Sequence, residues 1–401
     1  MRSGRRRGFP INNARKETPV IQRSKDRILT THTGSLPRPP ELIEMIRKRE
    51  AGEAVDEAAF QAAVKDAVAL TVRRQMEAGI DLVSDGEEGK PGYATYIKDR
   101  ATGFEGESPT RIRIQAEARD FPEYTERRMA TTATIIRRPT CNGPIAWKDF
   151  AAVERDIANF KAAVDAAKPL GAFMTAASPG VVAFFLGNEY YPTHDAYLDA
   201  ICAVMKDEYE AIAAAGFELQ LDCPDLAMGR NSQFFELDLA GFRKIVQRHI
   251  EVVNEATKNI PPQQMRLHLC WGNYEGPHHM DVPLKDIIDI VLKSRAQVIS
   301  FEGANPRHEH EWDVWQDVKL PDDKIIMPGV IDSTTNFIEH PELIAQRIER
   351  YAQLVGKERV LAATDCGFGT NAASATVDPR ITWAKLQALS EGAAIASKRL
   401  W

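Results

Sequence analysis

The stretch Arg266-Leu267-His268-Leu269-Cys270-Trp271-Gly272 sets an imidazole and a thiol two positions apart in an apolar run. In a strand, side chains two apart share a face, so His268 and Cys270 project together while Leu267 and Leu269 pack the other way against helices. A second thiol, Cys366, sits in Thr364-Asp365-Cys366-Gly367-Phe368-Gly369, where an apolar run meets a glycine-rich turn; a carboxylate, Glu302, sits in Ser300-Phe301-Glu302-Gly303. Imidazole, two thiolates and a carboxylate suit zinc at tetrahedral geometry, and the soft sulfur ligands disfavour magnesium and calcium. A carboxylate is displaced more readily than a thiolate. Glu302 would therefore be the exchangeable ligand, which is what separates a catalytic zinc from a closed structural one. The competing reading is packing: H-x-C is short, cysteine is among the most buried residue types, and dispersed ligands lack zinc-finger spacing.

These residues need elements to hold them. From about residue 28 onward, short apolar, β-branched runs alternate with stretches of helical periodicity, the pattern of βα units. Strands are expected at 28–33, 81–85, 172–177, 217–222, 264–270, 297–302, 325–331 and 359–365, each followed by a helix. Between Asp56 and Ala78, Phe60, Val64, Ala67, Val68 and Val72 recur at steps of three and four and give one buried face. Residues 195–215 and 339–355 behave alike. Residues 108–146, with Pro139 and Pro144, read as a β-rich hairpin excursion between the second and third units. Ser35, Asp85, Glu87, Asp222, Cys270, Glu302, Asp332 and Cys366 all fall at or just past the carboxyl ends of different strands. An open sheet focuses ligands at one switch point, whereas a barrel gathers many strand ends around one mouth, so the expected fold is a single α/β (β/α)8 TIM-type barrel.

Composition narrows the function. The 401 residues are 44% hydrophobic and 27% charged, as in ordinary globular proteins. No apolar run is long enough to span a membrane, and five cysteines in a chain this size do not resemble a secreted disulfide framework. A reducing, cytoplasmic setting without membrane association is expected. Residues 1–27 carry nine basic side chains against two acids, +7, while the whole chain is −6, so residues 28–401 carry −13. The basic segment reads as a solvated extension, the alternatives being a nucleic-acid-binding or organelle-targeting tail. An acidic body argues against nucleic acid as the main partner. Neither a G-x-G-x-x-G nor a G-x-x-x-x-G-K loop occurs, which disfavours dinucleotides and nucleotides.

His268-Leu269-Cys270, Glu302 and Asp365-Cys366-Gly367, in that order, resemble the zinc ligands of the cobalamin-independent methionine synthase family, in its catalytic carboxyl-terminal barrel. Thr31-His32-Thr33-Gly34-Ser35-Leu36-Pro37-Arg38, Asp85-Gly86-Glu87, Gly143-Pro144-Ile145, Leu219-Gln220-Leu221-Asp222-Cys223-Pro224 and Pro328-Gly329-Val330-Ile331-Asp332 are similar to the same family and extend the resemblance over about residues 28–370. The resemblance implies a zinc-activated thiol acceptor, homocysteine in the best-known members, attacking an alkyl donor, most simply a methyl donor. It implies that the backbone at Gly34 and Ser35 holds the acceptor's carboxylate, while Glu87 and Asp222 hold its ammonium group. Read alone, Glu87 could be a solvated loop acid, Asp222 a helix cap beside Pro224, and Ser35 a turn residue.

The donor half matches the family less well. Where the family stacks a tryptophan on folate, the segment Ser178–Leu186 offers Phe184 and Phe185; where it has a histidine two residues after Asp332, this chain has Thr334. An extra loop, Gly272 to Asp281, carries His278 and His279, which read as a solvated pair. Two other functions stay open. An epoxyalkane:coenzyme M transferase-like enzyme would open an epoxide and bind a sulfonate through arginines such as Arg38 and Arg230. A non-catalytic zinc or corrinoid-protein-binding module would turn nothing over. Expected partners are a small-molecule thiol acceptor and an alkyl donor, with a homo-oligomer possible.

Overall fold

The computed structural model describes residues 23–107, 116–131, 136–372 and 376–401. Eight strands alternate with helices: β1 Leu29–Thr30, β2 Leu82–Val83, β3 Gly171–Ala177, β4 Glu218–Asp222, β5 Met265–His268, β6 Val298–Phe301, β7 Ile325–Ile331 and β8 Leu361–Thr364. Every pairing is parallel, and the strands follow the order β1-β8-β7-β6-β5-β4-β3-β2. The fold is a nearly closed α/β barrel, as the sequence pattern predicts. At the β1/β2 seam the ladder is replaced by individual bonds: Asp81 N donates to Thr30 O at 3.1 Å, Thr31 Oγ1 to Leu82 O at 3.0 Å and Leu36 N to Gly86 O at 3.1 Å.

Alternation along the strands sorts two cores. Leu29, Leu82, Val298, Ile325, Met327, Leu361 and Ala363 form one buried cluster, while Leu219, Leu221, Leu267, Leu269 and Ile299 belong to the larger one that includes the helices. Strands buried on both faces need apolar side chains on both, which is why they read as continuous runs. On β4 and β5 one face is polar instead: Glu218, Gln220, Asp222, Arg266 and His268 are all buried. Arg266 stacks on Phe173, with Cζ 3.2 Å from the ring centroid, and donates to Thr31 Oγ1 at 3.2 Å.

The helices form where periodicity places them. Glu57–Glu77 buries Phe60, Val64, Ala67, Val68 and Val72, and Asp56 caps it by accepting from Ala58 N and Ala59 N. His194–Ala214 and Pro341–Val355 match the other two expectations. No helix among the described residues is long and apolar enough to cross a membrane.

Two expectations need correction. Within 108–146, residues 108–115 and 132–135 lie outside the described residues; residues 116–131 are largely helical, with a 3-10 turn at Ala116–Arg119 and an α-helix at Pro122–Thr131, while 136–146 hold no helix and Thr140 exchanges both backbone bonds with Gly106 at 3.2 Å. Pro122 at the first helical position, followed by Glu123, Glu126, Arg127 and Arg128, favours a helix in the middle of the expected hairpin. The segment joins the body through isolated bridges, Ala101 with Trp147 and Cys141 with Asn188. The second correction concerns the boundary at residue 28. Residues 1–22 lie outside the described residues, but Ser24 is buried, donating to Val360 O at 2.7 Å and accepting from Leu29 N at 3.1 Å. Arg27 forms a two-pronged pair with Asp81 at 2.7 and 2.6 Å. Charge counting groups these residues with the extension because it cannot see a single buried hydroxyl.

A chain beginning at Arg23 should therefore melt with the full-length protein, whereas one beginning at Ile28 loses the Ser24 bonds and the Arg27 pair. The loss is worth about 1–3 kcal/mol, a fall in Tm of roughly 2–6 °C by differential scanning calorimetry. Equal melting of the two truncations would remove any role for residues 23–27.

Candidate metal centre and cavity

Register brings the ligands together. Pairing of β4 with β5 sets Asp222 beside His268, and pairing of β5 with β6 sets His268 beside Ser300. Cys270 follows two residues on, and Cys366 follows β8 on the far side of the mouth. The candidate ligand atoms of His268, Cys270 and Cys366 all lie within 4.8 Å of one another, and all three residues are buried. His268 Nε2 stands 3.7 Å from Cys366 Sγ, and its Nδ1 is 3.1 Å from Ser300 Oγ. Ser300 can thus occupy Nδ1, leaving Nε2 aimed at the sulfur. Burial, with Arg266 two residues away, holds the His268 pKa down at about 3, so its ring is neutral. Burial and the neighbouring Cys270, Glu302 and Asp365 push the Cys366 thiol well above its ordinary value. Two buried thiols beside an acid are the donor set that a soft divalent cation stabilises as thiolates, so these residues fit zinc.

Glu302 is adjacent to this trio and differently engaged. Its Oε1 lies 3.9 Å from Cys366 Sγ while accepting from Trp271 N at 2.9 Å; its Oε2 accepts from Asn305 Nδ2 at 2.7 Å and Arg307 Nη2 at 2.8 Å. The loop carrying it is pinned by Asp365, whose Oδ1 accepts from Gly303 N at 2.8 Å and Ala304 N at 2.9 Å. A side chain at position 329 would meet Asp365 Oδ1 at 2.0 Å, so Gly329 makes room for this clamp.

The trio opens onto a cavity of about 250 Å³ that is also lined by Thr33, Ser35, Glu87, Tyr93, Phe184, Phe185 and Asp222. Glu87 sits in the left-handed region at φ 58°, and its Oε1 accepts from Thr175 Oγ1 at 2.9 Å. Glu87 Oε2 is buried without a hydrogen-bond partner. Asp222 Oδ1 accepts from Gln220 Nε2 at 2.8 Å. Burial pushes both acids upward, and Glu87 raises Asp222 further by like-charge repulsion. A buried oxygen with no donor, beside a second acid, is a place for a cation. Gly34 lies against Glu87, where a Cβ would stand 2.9 Å from its Oε1, and its N–H donates to His32 Nδ1 at 3.1 Å, while Ser35 lines the cavity and its Oγ accepts from Gly369 N at 3.3 Å.

Other sequence-level candidates separate. Arg38 donates to Gly369 O, Glu87 O and Lys90 O, and Arg230 to Phe235 O, so both turn to backbone carbonyls. Thr334 Oγ1 donates to Asp332 Oδ1 at 2.8 Å. His278 is buried rather than solvated, because Asp281, three residues on, accepts from its Nδ1 at 2.8 Å and also meets His308 at 3.1 Å. His279 is 2.7 Å from Asp120. Tyr93, Arg138, Asn273 and Asn371 line the cavity and carry no motif of their own. The glycines beside them, Gly92 and Gly272, were the available signal, since both mark tight loops at strand ends.

Residues 190–384 match the family described as the catalytic domain of the cobalamin-independent synthases. The methionine synthase of Thermococcus kodakarensis is 25% identical over 372 residues, covering 92% of this chain and 94% of its own length. That of Sulfolobus acidocaldarius is 25% identical over 341 residues, covering 84% and 85%. Among solved structures, a B12-independent methionine synthase from Shewanella sp. W3-18-1, in complex with selenomethionine, superposes with a TM-score of 0.70 at 21% identity, covering 93% of this chain and 99% of that one. A vitamin-B12 independent methionine synthase assigned in Listeria monocytogenes gives 0.63 at 19% identity, covering 94% and 99%. The two superpositions concern the fold; in sequence, residues 190–384 are similar to the catalytic domain of the cobalamin-independent methionine synthases, and the likeness to single members extends over most of the chain.

Proposed function

We propose that this protein transfers a methyl group to the sulfur of homocysteine, with zinc held by His268, Cys270 and Cys366 and with Glu302 as the exchangeable fourth ligand. The observation that carries the reading is the pair of buried acids, Glu87 and Asp222, on the wall of the cavity into which the thiols and imidazole open. Glu87 Oε2 has no partner in the protein, so an ammonium group there satisfies an atom that is otherwise costly to bury. The methionine synthases among the relatives support the same acceptor.

Bound zinc would lower the pKa of a coordinated thiol from near 8.5, supplying the acceptor sulfur as a thiolate at neutral pH without redox chemistry. The residues supply the rest. Glu87 and Asp222 bind the ammonium group by charge-assisted hydrogen bonds and so fix where the sulfur points. Ser35 would receive the acceptor carboxylate, and the Gly34 N–H, which donates to His32 Nδ1, would have to leave that partner to join it. His268 stays neutral and fixed by Ser300, and the Trp271 N–H, Asn305 and Arg307 hold Glu302 against Cys366. Arg38 and Arg230, the arginines expected for the epoxide-opening alternative, are committed to carbonyls, so that reading would have to rest on another arginine of the cavity. A non-catalytic module is distinguished by incubating the isolated protein with homocysteine and methylcobalamin: methionine formation supports the enzyme reading, and its absence with every donor supports the module.

Purified protein should contain about one zinc per chain by elemental analysis. Cys270→Ser and Cys366→Ser should lose most of it. Glu302→Ala should retain more, since three ligands remain and water can take the fourth place. Full zinc in Cys366→Ser would refute the ligand set.

Methionine carries the same ammonium and carboxylate as homocysteine but no ionisable thiol, so its binding isolates the two acids. Glu87→Gln or Asp222→Asn should each weaken methionine by about 1.5–3 kcal/mol, roughly 10- to 150-fold, in calorimetric titrations. Both acids are raised by burial, so lowering the pH protonates them and removes the charges that hold the ammonium. Wild-type affinity should therefore fall with decreasing pH, and the double variant should respond much less.

Thr334, tied to Asp332, stands where the family has its histidine proton donor, and Phe184 and Phe185 stand where it has the stacking tryptophan, so a folate leaving group would lack that histidine and that stacking ring. Methyl transfer should run faster from methylcobalamin or a methylated sulfur compound than from methyltetrahydrofolate at equal concentration. The reverse order in a coupled methionine assay would overturn this.

A further inference from the structure

Several buried and half-buried arginines among the described residues are satisfied by acids or carbonyls; Arg266, whose Nε and Nη2 have no partner, lies on Phe173 inside the barrel, and Arg138 stands on the cavity lining. Arg100 pairs with Asp156 at 2.5 Å, Arg307 with Glu302 at 2.8 Å and Arg347 with Glu309 at 3.0 Å, while Arg38 donates to three carbonyls. Arg138 is different. Among the described residues no carboxylate or carbonyl accepts from it, its Nε is buried without a partner, and its Cζ lies 4.9 Å from the centroid of Phe185. Burial lowers its pKa, and the group that offsets this is the Tyr93 phenol rather than a carboxylate. An aromatic face offsets only part of the cost of taking a guanidinium out of water; an unpaired buried cation needs an anion.

The surroundings are those of a binding site rather than a packing contact. Arg138 lines the cavity that reaches His268, Cys270 and Cys366, as do Tyr93, Thr95, Phe185 and Asn371. Thr95 Oγ1 is a second buried polar atom with no partner. A Cβ on Gly92 would lie 3.0 Å from Thr95 Oγ1, 3.3 Å from Asn371 Oδ1 and 3.3 Å from Ile136 Cδ1, so the hydroxyl, the amide and the segment leading into Arg138 converge on that glycine. Tyr93 meets Phe185 edge-on at 5.8 Å and feels the charges of Cys270, Asp222 and Cys366 as well as that of Arg138. The cavity lining thus carries both signs of charge: the acids Glu87 and Asp222 with the thiols, and a guanidinium with an adjacent hydroxyl and aromatic rings.

We propose that the Arg138 wall, with Thr95 and Phe185, binds an anionic group on the second substrate, the alkyl donor: a carboxylate, sulfonate or phosphate attached to an apolar body. The assignment to the donor rests on the reading of Glu87 and Asp222 as the acceptor's ammonium site. Glu87 and Asp222 repel an anion, so a molecule with a net negative end binds at Arg138 while the ammonium of the zwitterionic acceptor meets the two acids. Arg suits all three anions because its planar fork donates two parallel hydrogen bonds.

The test uses the zinc-loaded full chain and four probes on one body: 3-phenylpropionate, 3-phenylpropanesulfonate, 3-phenylpropylphosphonate and the neutral 3-phenylpropanol. In calorimetric titrations at least one anion should bind the wild type tenfold or more tightly than the alcohol, and the best anion identifies the group the donor carries. Arg138→Gln should abolish that preference, Arg138→Lys should keep part of it, and Thr95→Val should reduce it. Saturating methionine should leave probe binding within about twofold. Equal binding of anions and alcohol to the wild type, or a preference undiminished in Arg138→Gln, would overturn the anion site. Displacement of the probes by methionine would reassign Arg138 to the acceptor and overturn its role toward the donor. Failure of methionine to bind at all, with the anion preference intact, would count against the homocysteine reading and leave the anion site standing.

Discussion

Parallel pairing of β4, β5 and β6 is the constraint on which the site depends. It aligns Asp222, His268 and Ser300 across three neighbouring strands, so an acid, an imidazole and the hydroxyl that orients it share one rim. A shift of one residue in β5 would turn His268 and Cys270 outward into the helical layer and bring Leu267 and Leu269 inward. The apolar residues between the polar ones hold the register, because Leu219, Leu221, Leu267 and Ile299 are packed in the larger core. The position of the candidate metal ligands therefore follows from hydrophobic burial on the opposite face of the same strands.

That arrangement requires charged groups inside the barrel, and the structure offsets their burial in graded ways. Arg266 lies on Phe173 and near Glu218, whose pKa burial raises to about 7, while that of Arg266 falls to about 10. Its presence beneath His268 favours a neutral imidazole, the form able to coordinate a metal. Glu302 is more fully satisfied, with three donors on its two oxygens, and Asp365 fastens the loop behind it. Glu87 and Arg138 each keep a buried polar atom that no described group satisfies, as Arg266 and Glu218 do, but Glu87 and Arg138 line the cavity, where a ligand can reach them.

Loops complete what the strands begin. Asn273 donates to Gly367 O at 2.7 Å and accepts from Ser333 Oγ at 2.9 Å, and Ser333 Oγ in turn accepts from Cys366 N at 3.1 Å. The loop after β5 is thereby tied to the turn bearing the second thiol. His278, Asp281 and His308 fasten the other end of that loop, and Trp271 stacks on His308 with centroids 3.9 Å apart. Cys270 is thus flanked by anchored backbone, which limits how far its sulfur can drift from His268 and Cys366.

By itself the sequence determined the barrel and the chemically distinctive trio. Eight β-branched runs separated by amphipathic helices state their period locally, and alternation within Arg266–Cys270 states which side chains share a face. Family-like motifs also located Glu87, Asp222 and Ser35 on the cavity. Tertiary structure decided the rest. That the Gly34 N–H meets His32 and its Cα packs against Glu87 is not written in the motif. The helix at Pro122–Thr131 and the attachment of Ser24 were missed because each turns on one residue, a proline at a helix start and a hydroxyl reaching a strand 336 positions away. Arg138, Tyr93 and Asn371 carry no motif: their loops meet only when the barrel closes. Local periodicity records which face is buried, whereas a cavity wall built from several loops depends on distances that no stretch of sequence contains.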